Sequence, residues 1–89
     1  MLEREVEIVN KLGLHARAAA KLVSCASAYA SDVTVSFKAQ SVDAKSIMSV
    51  MLLAASKGSV IRIRCEGRDE SAAMEAVTDL IANRFGEAE

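Results

Sequence analysis

The stretch LGLHARAAAKLV at residues 12–23 contains the chain's only histidine, His15, two residues ahead of Arg17. An imidazole and a guanidinium at that spacing offer a nucleophile or base beside a permanent positive charge. The chain places them where a turn gives way to an alanine-rich helical segment. His15 therefore stands just ahead of a helix or at its cap. The backbone N–H groups of Ala16, Arg17 and Ala18 have no intrahelical partners there. A helix start carries roughly half a positive charge and is a natural anion site. That charge disfavours imidazolium and favours a neutral, nucleophilic ring. A phosphoryl group attached to the ring would meet those amides and the Arg17 guanidinium. The pattern suits a histidine that accepts an anionic group and gives it away again.

From spacing alone, the commoner role of a lone histidine near a turn is that of an ordinary polar residue. No carboxylate lies close in sequence to orient it as a general base. There is no nucleophile elbow and no glycine-rich phosphate loop. Cys25 and Cys65 lie forty residues apart with no CxxC pattern, so zinc lacks a ligand set, no metal site is expected, and both thiols are expected reduced. With 11 basic and 12 acidic side chains the net charge is −1, which gives no electrostatic case for nucleic acid or an anionic membrane. The opening MLEREVEIV is too charged for a signal peptide or membrane start, and no apolar run approaches spanning length. A cytoplasmic location is expected.

Elements must position His15, and the chain spells them out. Eighty-nine residues make one domain, 1–89, with one small core. Aromatics are only 3%, so that core must come from Ala, Val, Ile, Leu and Met. Residues 2–9 alternate, with Leu2, Val6 and Ile8 on one side and Glu3, Glu5 and Glu7 on the other; Arg4 interrupts the inner row. A turn follows at residues 10–13. The spacing of Ala19, Leu22, Val23 and Ala26 predicts a helix over 16–30. Val33, Val35 and Phe37 mark a second strand, and Val42 with Ala44 a short third. Ser46 opens a second helix expected to end near Lys57 and Gly58. Ile61, Ile63 and Cys65 make a fourth strand. Asp69 and Glu70 start a third helix, with Ala73, Val77, Leu80 and Ile81 as its buried stripe and Gly86 after its end. The order is βαββαβα. Each strand has one apolar face, which predicts an α+β, two-layer fold with the helices on one side of a mainly antiparallel sheet.

The second helix reads IMSVMLLAA over residues 47–55. A helix apolar nearly all round in so small a domain uses an outer face for contact. With Val50, Leu53 and Ala54 toward the sheet, Ile47, Met48 and Met51 point outward as a docking surface. Ser46 is expected as its N-cap, through a bond worth about 1 kcal/mol. Lys45 and Lys57 flank it, and Arg62 and Arg64 can pair across strands with the N-terminal glutamates.

GLHAR at 13–17 followed by an alanine-rich helix resembles the active-site signature of the HPr family, the small histidine phosphocarriers of the phosphoenolpyruvate-dependent phosphotransferase system. AKSIMSVMLLAASKGS at 44–59 resembles that family's second signature, and length and element order fit from end to end. The resemblance implies an open-faced sandwich of strand order 1-4-2-3 with three helices on one face. It implies His15 as the phosphoryl acceptor on Nδ1, Arg17 as the cation paired with the group, and the second helix as part of the partner-binding face. In some members the serine matching Ser46 is phosphorylated by a dedicated HPr kinase/phosphorylase. Most members have proline where this chain has Ala18; alanine keeps the helix and restores a backbone N–H. HARA variants resemble the nitrogen-type, NPr-like regulatory branch.

On that resemblance the chain is a carrier rather than a stand-alone enzyme. Enzyme I would phosphorylate His15, and a IIA-type domain would accept the group, for regulation or for sugar uptake. Phosphoenolpyruvate and magnesium act at enzyme I, so this chain needs no cofactor. The alternative is a non-catalytic αβ module that acts through its apolar second helix.

Overall fold

The computed structural model describes residues 1–89. Its elements run β1 (Leu2–Glu7), α1 (Ala16–Ser27), β2 (Asp32–Phe37), β3 (Gln40–Asp43), α2 (Ile47–Leu52), β4 (Val60–Glu66) and α3 (Glu70–Ala82), then a 3-10 turn, Arg84–Gly86. The strands form one sheet in the order β1-β4-β2-β3, and every neighbouring pair is antiparallel. This is the α+β order the resemblance implies. Alternation decides which face each residue takes. Val33, Val35, Ile61, Ile63 and Cys65 are buried under the helices, while Arg62, Arg64, Glu3 and Glu5 line the open face. The register sets Glu3 opposite Arg64 and Glu5 opposite Arg62, giving ion pairs of 3.9 and 3.4 Å. Those pairs are exposed and stabilise by at most about 1 kcal/mol each. Burial contributes more, about 1.5–3 kcal/mol for each fully enclosed Ile, Leu or Val.

Arg4 does break the inner row of β1. As an edge-strand residue it reaches α3, where it donates to Thr78 Oγ1 at 3.3 Å. The cysteines are unbonded, Cys65 buried and Cys25 half-buried, and burial raises both thiol pKa values. No helix is long and apolar enough to cross a membrane.

Several expectations need correction. Helix α1 stops at Ser27 rather than residue 30. The Asp69 carboxylate accepts the N–H groups of Ala30 and Ser31, both at 2.9 Å, and draws the chain out of helical geometry. Those bonds, together with the Ser31 hydroxyl, hold the Asp69 carboxyl below its ordinary range. Helix α2 ends at Leu52, well short of Gly58, because Ala54 turns into the left-handed region at φ 52°. Ala54 is consequently exposed, and Ala55 is buried in its stead. Ser46 occupies the N-cap position of α2 but makes no capping bond; its hydroxyl donates to Ser49 Oγ at 3.0 Å. The third strand covers Gln40–Asp43, one side of a tight hairpin through Lys38 at φ 56°. In α3, Met74 and Thr78 are buried while Leu80 is only half-buried. Past its end, Phe85 is fully buried, an aromatic core residue where composition pointed to an aliphatic core alone.

Candidate functional site

The site begins with a glycine. Gly13 has φ +68°, and a Cβ there would lie 2.6 Å from the carbonyl oxygen of Ala55. Only glycine lets the loop before α1 pass so close to the segment after α2. Leu14 N–H then donates to Ala55 O at 2.9 Å, which fixes the backbone immediately ahead of His15.

His15 is the N-cap residue of α1, with extended backbone (φ −73°, ψ 178°). Its carbonyl accepts the Ala19 N–H at 2.8 Å, so the amides of Ala16, Arg17 and Ala18 precede the first helical bond. The ring makes no bond to them. It turns instead toward the end of the chain, where Nε2 meets a Glu87 carboxylate oxygen. Ala18 is buried, whereas Ala16 and Arg17 are exposed. No carboxylate of the chain pairs with the Arg17 guanidinium. A shallow depression of about 710 Å³ opens between His15, Arg17, Leu12 and the tail residues Glu87, Ala88 and Glu89.

Glu87 is the residue at the site that sequence reasoning missed. It lies 72 positions from His15, and nothing local in the sequence signals the contact. Its other carboxylate oxygen accepts from Asn10 Nδ2 at 3.0 Å, and the same nitrogen donates to Gly13 O at 2.8 Å. Asn10, followed by His15, holds the Glu87 carboxyl below the usual carboxylate range. The tail is fastened twice more. Lys11 N–H donates to Glu89 O at 2.6 Å, and Lys11 Nζ pairs with the Glu89 side chain at 3.3 Å.

Across from this junction, α2 exposes Ile47, Met48 and Met51 as expected. Leu52, 74% exposed, adds to that face of α2, and Leu12, 66% exposed, is a further apolar side chain in solvent beside His15. Leu52 falls four residues after Met48 on the same helical stripe, a signal that was readable in the sequence. Lys45 Nζ donates to Tyr29 O at 2.8 Å, which ties its side chain to the segment after α1 without neutralising its charge. No group of His, Cys, Asp or Glu side chains is arranged to hold a metal ion.

The family described as "PTS HPr component phosphorylation site" matches residues 2–83. The chain belongs to the HPr family. The phosphocarrier protein HPr of Xylella fastidiosa strain Temecula1 is 59% identical to it over 87 residues, covering 98% of each chain. The phosphocarrier protein NPr of Shewanella violacea is 39% identical over 98% of this chain and 96% of the relative. Among solved structures, an HPr from Thermoanaerobacter tengcongensis superimposes with a TM-score of 0.96 at 46% identity, with both chains covered in full. An HPr-family chain is a phosphocarrier of the phosphotransferase system, not a catalyst in its own right.

Proposed function

We propose that His15 is the residue that carries the phosphoryl group, taken from enzyme I and passed to a IIA-type domain. The observation that supports this most is the start of α1, where an accessible imidazole stands beside three uncommitted amides and an unpaired arginine. Ala16, Arg17 and Ala18 supply backbone donors for the phosphoryl oxygens, and the Arg17 guanidinium offsets their charge. Catalysis then lies in positioning and charge stabilisation shared with the partner. Phosphoenolpyruvate and magnesium act on enzyme I in the cytoplasm, and this chain needs no cofactor of its own.

Ile47, Met48 and Met51, extended by Leu52, form the surface on which both partners dock. Methionine suits a face that must fit more than one of them. Ser46, at the edge of that face, is the position an HPr kinase would modify. Nearly two added negative charges there would repel an acidic partner. Ala18 in place of proline favours the nitrogen-type branch. The exposed face of α2 equally supports a regulatory module without phosphotransfer, so the test must separate the two.

Intact mass after incubation with phosphoenolpyruvate, magnesium and enzyme I does so. An acid-labile phosphate is expected on the wild type and none on His15→Ala. Failure to label with a demonstrably active cognate enzyme I overturns the relay and leaves the binding module. Offering the charged protein nitrogen-type and sugar-type IIA domains side by side then tests the branch, with faster discharge to the nitrogen-type domain expected.

A further inference from the structure

Resting on the reading that His15 accepts the phosphoryl group, we propose that Glu87, itself oriented by Asn10, is a positioning residue that fixes the tautomer of the His15 ring. Asn10 is the anchor. Its side chain is fully buried, and both donor contacts are committed, one to Gly13 O and one to a Glu87 oxygen. Its Oδ1 has no partner at all. A flipped amide would set that oxygen against the Gly13 carbonyl and the carboxylate, acceptor facing acceptor. Asn10 therefore has one orientation, and that orientation presents a donor to Glu87.

The second Glu87 oxygen faces His15 Nε2. An ionised carboxylate only accepts, so Nε2 must carry the proton. In the neutral ring the lone pair then resides on Nδ1. Orienting carboxylates play the same part behind metal-bound and catalytic histidines. Attachment of the tail through Lys11 holds Glu87 in place independently of the ring.

In the transfer step, the Nδ1 lone pair attacks phosphorus and forms the new N–P bond. The donor's bond to phosphorus breaks, and its electron pair returns to the donor. The proton stays on Nε2, so the ring becomes cationic. The Glu87 carboxylate offsets that charge where it develops. No proton need leave the site before the chemistry, because the ring already waits in the attacking form.

Glu87→Gln provides a sharp test. Asn10 still donates to the glutamine oxygen, which turns the glutamine NH2 toward His15 Nε2. That nitrogen must now accept, and the ring proton moves to Nδ1. Imidazole 15N shifts, measured above the ring's titration, are expected to report Nε2–H in the wild type and Nδ1–H in Glu87→Gln. The rate of phosphate uptake from enzyme I is expected to fall at least about tenfold. Glu89→Gln, which alters only the contact to Lys11, is expected to leave the tautomer in place. An Nδ1–H wild type, an unchanged tautomer in Glu87→Gln, or an inverted tautomer with an unchanged rate would each overturn the proposal. Absence of phosphate on the wild type would instead sink the relay itself, and the nitrogen shifts would still decide how the ring is held.

Discussion

Twelve residues long, α1 buries Ala18, Ala19, Leu22 and Ala26, whereas six-residue α2 buries Val50 alone and exposes Ile47, Met48, Met51 and Leu52. The two helices pack against each other. The first is held by its apolar side and keeps its polar start free for chemistry. The second gives up burial and keeps its apolar side for contact. Precision therefore sits on the element with the deepest anchorage, and adaptability on the one with the least.

The sharpest way to break this contrast is to hollow out one helix and trim the other. Leu22→Ala is expected to cost about 2–5 kcal/mol in urea unfolding, since the side chain is fully enclosed. Met48→Ala is expected to change stability by no more than about 0.5 kcal/mol. The same change should weaken partner binding in titration calorimetry. Equal destabilisation by both variants would show that α2 is as much a core element as α1.

Acid separates the two regions next. Asn10 and His15 lower the Glu87 pKa below the ordinary glutamate value of 4.5, so its contribution is fully present above that pH. It is lost as the pH falls through the lower, folded value. Wild type is expected to exceed Glu87→Ala in urea midpoint near neutrality, with the gap closing in acid. The six residues of α2 carry no titrating side chain, and the gap between wild type and Met48→Ala should stay flat across the same range.

The smallest expected effect is at Ser46. A true N-cap would be worth about 1 kcal/mol. With only the Ser49 hydroxyl as partner, Ser46→Ala is expected to cost no more than about 0.5 kcal/mol by the same urea measurement.

The strands were legible because alternation is a local property. Ile61, Ile63 and Cys65 declare their face without help from elsewhere in the chain. The helix ends were not, since distant groups set them. Asp69 closes α1 from 38 residues beyond Ser31, and nothing in LLAAS announces that Ala54 will turn left-handed. His15 and Arg17 were legible by type and position, and Ser46 stands at the expected cap without making the expected bond. The apolar face of α2 showed in composition, and its extension to Leu52 was readable in the four-residue spacing from Met48. Glu87 was invisible because its meaning depends on a fold that brings residues 10, 15 and 87 together.

That convergence bears on the order of events in folding. Asn10 and Glu87 are 77 positions apart, and His15 and Glu87 are 72 apart, so each contact closes nearly the whole chain into a loop. Contacts of such long range are entropically the most expensive to form and come after local turns and helices. The clasp around the imidazole then assembles after the local turns and helices. A nascent chain or a frayed one would carry the histidine but not its orientation. Competence thus becomes a property of the folded molecule alone, and amide exchange at Lys11, whose N–H donates to Glu89 O, would follow its loss.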